Sequence, residues 1–233
     1  MDQNPKYQSA DNDLPASLRG FGIAGILFTI TVILIGNVML PGMITLPIGA
    51  ILVIIWVKIT ETPLHETGYV KPKSWLAVVV TGLILGIAFK FLMKAVVMPL
   101  FGAEPVNPSY HFLAGNTAML PAAIWTMIAA GFGEETVFRG FLFARLKRLL
   151  GWNRNSKLLI VLITSAIFAL AHYSQGIAGI EQAAITGLVF GIIFVINRSI
   201  WMIMIAHAAF DLTALGMIYW NLETSVAHFI FKG

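Results

Sequence analysis

Residues 131–148 read GFGEETVFRGFLFARLKR. Two adjacent carboxylates, Glu134 and Glu135, and a guanidinium, Arg139, fall within six residues of a run otherwise composed like a membrane helix. A charge near the bilayer centre costs at least about 2.5–3.5 kcal/mol on insertion scales. Charges kept there are expected to face protein or a water-filled cavity, which makes this stretch the first candidate for function.

The remainder of the chain supports the membrane reading. It has 233 residues, 58% of them hydrophobic and 11% charged, with a mean hydropathy of +0.84. Soluble domains are about 45–50% apolar and about 25% charged. The expected fold class is therefore all-α, a polytopic membrane helix bundle. Its length suits one compact helical domain with no room for a large soluble one. The net charge of +4 bears on loop orientation rather than on nucleic acid, so the expected partners are membrane lipids and no nucleic acid. The absence of cysteine excludes disulfides and thiolate chemistry. The first 19 residues, MDQNPKYQSADNDLPASLR, are polar and mixed in charge and lack a basic n-region with a cleavage site. The first apolar segment is expected to stay in the mature protein.

A spanning helix needs roughly 20 apolar residues, and about seven segments qualify. They cover 20–40, 43–59, 74–94, 121–149, 157–173, 181–196 and 200–220. The tail SVAHFIFKG is too short to span and reads as interfacial. Lys and Arg gather at Lys58, Lys71 and Lys73, at Arg145–Lys157, and at Arg198; loops 40–43, 100–118 and 174–180 have none. This alternation predicts a cytoplasmic N-terminus and an external C-terminus. Lys90 and Lys94 fall at the outer end of the third segment, against that rule. Their bland reading is a pair of stems snorkelling to the interface, and the alternative is a role in binding substrate or anionic lipid. Gly82/Gly86 and Gly187/Gly191 have the spacing that lets helices approach closely. No internal repeat is visible, which removes the usual sequence pointer to a secondary transporter.

Glu135 and Arg139 are four apart and share a helix face, so they are expected to pair. Glu134 lies about 100° round the helix and would be left for the cavity, where desolvation suits a general base. His172 closes the run FALAHY, with Phe168 on its face four residues earlier. His207 and Asp211, in HAAFD, are also four apart, so the carboxylate can orient the imidazole through its second nitrogen or join it in ligating a cation. Each group alone also reads as structural, either a packing ion pair or an interhelical hydrogen bond. Taken together, they place ionisable groups on three apolar segments. If these pack, they supply a base, proton carriers and polar groups for an oxyanion, as carbonyl hydrolysis requires. The same set of neutral imidazole and carboxylate suits zinc. No His-Glu-x-x-His pair is present on one helix.

The ordered motifs EETVFR, FALAH and HAAFD resemble the Glu-Glu-x-x-x-Arg, Phe-x-x-x-His and His-x-x-x-Asn/Asp set of the CPBP family. These are intramembrane proteases that include the CAAX prenyl endopeptidase of the Rce1 type and the Abi relatives linked to bacteriocin immunity. The resemblance covers about 121–219 and implies an intramembrane endopeptidase acting on a peptide or membrane-protein substrate. The segments before it are unconstrained by the resemblance; with the span reading above, the chain divides into a cytoplasmic polar tail (1–19), N-terminal transmembrane helices and loops (20–120), a catalytic core by resemblance (121–220) and an interfacial tail (221–233). By resemblance the catalytic set is Glu134, Glu135, Arg139, His172, His207 and Asp211. Glu134 would activate water with His172, and His207 with Asp211 would stabilise the oxyanion or help bind a metal. Glu134, His172, His207 and Asp211 would be the ligands if zinc or another divalent cation acts, and a metal-independent mechanism is equally open. Asp211 stands where the prenyl-protein enzymes have asparagine, and an ionised aspartate cannot donate to an oxyanion. A non-catalytic immunity or scaffold protein of the same fold is the alternative, with a proton-coupled transporter ranked below it. A multi-pass protein of the bacterial plasma membrane is the expected setting.

Overall fold

The computed structural model describes residues 42–231. The expected first span, 20–40, lies outside these residues. The described chain is helical throughout its apolar segments. It runs through α1 (Gly42–Ile59), α2 (Trp75–Leu100), α3 (Leu120–Glu135), a π segment (Thr136–Leu142), α4 (Phe143–Leu150), α5 (Arg154–Ala171), α6 (Gly176–Asn197), α7 (Trp201–Tyr219) and the short α8 (Glu223–Ala227). Local chemistry sets several of the ends. The Ser74 hydroxyl accepts from the Ala77 N–H at 3.2 Å, and Asn153 Oδ1 accepts from the Ser156 N–H at 2.9 Å, which caps α2 and α5. Gly68, at φ 84°, turns the loop after α1 in a left-handed conformation suited to glycine.

Four described helices are long and apolar enough to cross a membrane: α2, α5, α7 and the stretch Tyr173–Asn197 that contains α6. Large apolar side chains such as Leu76, Ile84 and Ile177 lie exposed on outward faces. Hydrocarbon tails are as apolar as leucine, so burial does not drive these helices together. Close van der Waals packing and interhelical hydrogen bonds do. The glycines show how. A Cβ on Gly86 would stand 2.1 Å from the Ala206 carbonyl oxygen, and one on Gly187 would stand 3.0 Å from Ser165 Cα. Gly82 and Gly86 therefore seat α2 on α7, and Gly187 seats α6 on α5, as their spacing predicts. A third site, Gly131, brings α3 against the backbone of α7 at Ala208. Phe143, Phe168, Phe190 and Phe210 fill the space between, each almost fully buried.

Three boundaries differ from the sequence reading. The third segment does not stop at residue 94 but continues through a π turn, Met93–Val97, to Leu100. The sixth starts at Gly176 rather than 181, because apolar residues flank the glycines there and nothing breaks the helix. The fourth runs to Leu150 but is interrupted by the π segment that follows Glu135. The loops rich in Lys and Arg meet at one end of the bundle. Arg148 Nη2 donates to Glu66 Oε2 at 2.8 Å, and the Ile200 N–H donates to the Gly68 carbonyl at 2.9 Å.

Candidate active site

The π segment begins directly after the paired glutamates. π turns are rare and recur at functional sites, because they shift the side chains that follow without ending the helix. Here the turn is pinned from outside. Thr136 donates its hydroxyl to the Phe132 carbonyl at 2.7 Å, so the Tyr69 hydroxyl, also 2.7 Å from Thr136 Oγ1, must be the donor of that second bond. Burial raises the Tyr69 phenol above its ordinary pKa, and the bond to Thr136 partly offsets this.

Glu135 and Arg139 form the expected pair: Arg139 Nη1 donates to Glu135 Oε1 at 2.9 Å, with both side chains almost completely buried. Arg139 also donates through Nη2 to the Gly187 carbonyl at 3.2 Å, and its guanidinium lies over the Phe168 ring at 4.9 Å. Glu135 does more than the sequence suggests. Its Oε1 also accepts a 2.7 Å bond from His207 Nδ1. The carboxylate that orients His207 is therefore Glu135 on α3. The i,i+4 spacing pointed to Asp211, but the approach of α3 to α7 at Gly131 puts Glu135 against the ring first.

Glu134 keeps a free oxygen. Its Oε2 is buried and has no hydrogen-bond partner among the described residues. It faces His207 Nε2 at 3.7 Å and His172 Nε2 at 4.0 Å. Those distances are too long for direct hydrogen bonds, and short enough for one water to touch both partners at ordinary lengths. His172 lies just past the end of α5, where Nδ1 is 2.8 Å from the Phe168 carbonyl. A carbonyl only accepts, so Nδ1 carries the proton and Nε2 of the neutral ring offers a lone pair toward Glu134. Asp211 Oδ2 stands 3.6 Å from His207 Nε2. All six residues expected from the sequence thus come together, although Glu134, His172 and His207 lie at different heights along their own helices. The helices are staggered, and α5 ends before His172.

Glu134, His172, His207 and Asp211 line a cavity of about 350 Å3. Lys90 and Lys94 line it too, which overturns the snorkelling expectation. Lys90 is buried, donates to Gln182 Oε1 at 2.7 Å and lies over the Phe210 ring at 4.7 Å. Lys94 donates to the Pro105 carbonyl and pairs with Glu223 Oε1 at 3.4 Å. Gln182, Glu223 and Tyr110 are further lining residues that the sequence reading missed. Lys90 and Lys94 carried a signal, as charges at the outer end of an apolar segment. Tyr110 comes from the loop between α2 and α3. Its phenol is pushed up by burial and then by the carboxylates of Asp211 and Glu134.

The donor types suit zinc, yet among the described residues no three of the imidazoles and carboxylates are set to hold an ion. Glu135 and the Nδ1 atoms of both histidines are already engaged in hydrogen bonds.

Residues 116–213 match the family model described as Type II CAAX prenyl endopeptidase Rce1-like. The chain carries an Rce1-like domain. That domain contains all six clustered ionisable residues, while Lys90 and Lys94 lie before it and Glu223 after it. Comparison with curated proteins and with solved structures gives no match. At the level of the family, the Rce1-like domain supports a protease, and the four long apolar helices fit a membrane protein.

Proposed function

We propose that the chain is an intramembrane endopeptidase that hydrolyses a peptide bond with water activated by Glu134 and His172. The observation that carries this reading is the unbonded Oε2 of Glu134, facing the lone-pair nitrogen of His172 across a gap that one water can bridge. In the proposed reaction, that water donates to both acceptors, and its oxygen attacks the scissile carbonyl carbon as a proton passes to Glu134. The resulting oxyanion accepts a bond from Nε2–H of His207, whose other nitrogen is held by Glu135. Glu134 then returns the proton to the departing amine nitrogen, and the carbon–nitrogen bond breaks. Asp211, beside His207 Nε2, favours the ring form that donates there. No step above depends on a bound divalent cation.

The substrate would be a peptide or a membrane-protein segment entering from the bilayer, and the setting a bacterial plasma membrane with the basic loops inside. The test is cleavage by the purified protein in proteoliposomes, offered peptide libraries with farnesylated and with unmodified cysteine and read by mass spectrometry. Glu134→Gln and His172→Ala are each expected to abolish cleavage while the protein stays folded. Full activity in both variants would overturn the proposal in favour of a binding role.

A further inference from the structure

At the opposite end of α2 from Lys94, a second cavity of about 440 Å3 opens beside α4, the end of α6 and the loop after α1. Its wall includes Lys147, Arg148, Trp152 and Arg198. Three cations converge on the Trp152 indole: Lys157 Nζ at 5.3 Å, Arg198 Cζ at 5.3 Å and Lys147 Nζ at 5.5 Å from the ring. They arrive from three elements, α5, the end of α6 and α4. Arg148 is neutralised by Glu66. Among the described residues, none of the other three has a carboxylate at ion-pair distance.

Helix ends do not account for this set. Lys147 in the last turn of α4 and Arg198 at the end of α6 suit the negative ends of their helices. Lys157 lies in the first turn of α5, where a cation is disfavoured. Arg198 also holds a left-handed backbone, φ 55°, uncommon for a residue with a Cβ. Among the described residues the fold thus gathers mutually repelling charges around one ring, and the carboxylate in the cavity wall, Glu66, is already paired with Arg148. Tryptophan favours the headgroup level of a membrane, lysine and arginine suit phosphate, and Phe143 and Phe194 give the same cavity an apolar side.

We infer that this pocket binds the phosphate of an anionic phospholipid, with Lys147 and Arg198 in its wall as ligands and Lys157 adding its charge across the Trp152 ring that all three share. Basic pockets between helices at a membrane face bind lipid headgroups on this principle. The test uses the full chain in lipid nanodiscs and detergent, with phosphatidylglycerol or phosphatidylcholine as probe. Retention is read by native mass spectrometry and stability by thermal shift. Phosphatidylglycerol is expected to be retained selectively and to raise Tm. Neutralising all three cations (Lys147→Gln, Lys157→Gln, Arg198→Asn) is expected to weaken its binding about 100-fold, at roughly fivefold per basic residue. Lys157→Glu guards against misfolding of that variant. It improves the α5 terminus, so it should keep its Tm in phosphatidylcholine and still lose phosphatidylglycerol. Lys71→Gln/Lys73→Gln, on the same face, is expected to bind as the wild type does. Equal retention of both lipids, wild-type binding by the triple variant, or an equal loss in the Lys71/Lys73 control would overturn the site. Stabilisation by inorganic phosphate in detergent equal to that by phosphatidylglycerol would overturn the lipid assignment and leave a free-anion site.

Discussion

Nδ1 of His207 donates to Oε1 of Glu135 at 2.7 Å, and the same oxygen takes Arg139 Nη1 at 2.9 Å. One carboxylate oxygen therefore joins α3 to α7 and, through Arg139 and the Gly187 carbonyl, to α6. Each of the two glutamates keeps a buried Oε2 without a hydrogen-bond partner among the described residues, but Glu135 spends its Oε1 on holding the helices together, while the Oε2 of Glu134 faces His172 and His207. Two adjacent residues of the same type are thereby set to different tasks.

Substituting the two glutamates should separate those tasks. Glu134→Gln is expected to lower the rate by about 10²–10⁴-fold with little change in Tm, since it removes a base and keeps the shape. Glu135→Ala leaves the Arg139 guanidinium buried without its carboxylate, which costs about 3–5 kcal/mol when one partner of such a pair is removed. Thermal unfolding beside a cleavage assay checks both. Equal stability of the two variants would refute the division.

Asp211→Asn probes the oxyanion end. An asparagine amide can donate where an aspartate cannot, so the variant should keep at least about a tenth of the activity, one decade being about 1.4 kcal/mol of barrier. Incubation with a strong chelator is expected to leave cleavage unchanged. Loss on chelation together with recovery on adding zinc would instead put an ion among Glu134, His172, His207 and Asp211.

Gly131→Ala is expected to harm both stability and activity. The added Cβ would meet the Ala208 backbone nitrogen at 2.5 Å, next to His207. Overpacking of this kind costs about 1–3 kcal/mol, and the backbone shift that relieves it moves His207 away from Glu134. Relative Tm and kcat, compared with Gly49→Ala, where a Cβ meets Val137 Cγ2 at an ordinary 3.4 Å, provide the control.

Tyr110 gives a pH signature outside the helices. Its phenol is raised above the usual value by burial, then by Asp211 and Glu134, so the folded protein holds that proton more tightly than the unfolded chain. The stability this represents is fully present below about pH 10 and falls as pH rises beyond it. Tyr110→Phe is expected to flatten the alkaline decline of Tm and to remove a late component from the ultraviolet titration of phenolate. An unchanged alkaline slope would contradict the burial of this group.

Much of the site was legible because intramembrane charge is costly. Glu134, Glu135, Arg139, His172, His207 and Asp211 each stand out against apolar neighbours, and helical spacing correctly paired Glu135 with Arg139. The same rule failed for His207. Spacing along one helix favours a partner four residues away, whereas the real partner comes from another helix at the Gly131 crossing. Lys90 and Lys94 were misread for a related reason. Snorkelling assumes a side chain free to reach the interface, and these two are held by Gln182, Pro105 and Glu223, which are remote in sequence.

The sequence by itself determined the membrane class, the helical periods, the glycine contact faces and the identity of the ionisable residues, because each follows from composition and local spacing. Only the tertiary structure decided which carboxylate holds His207, that Glu134 keeps an unbonded oxygen, and that Lys90 lines the same cavity as the histidines. Those facts depend on the stagger and close approach of helices distant in the chain, and pairwise packing sets that geometry where local propensity cannot.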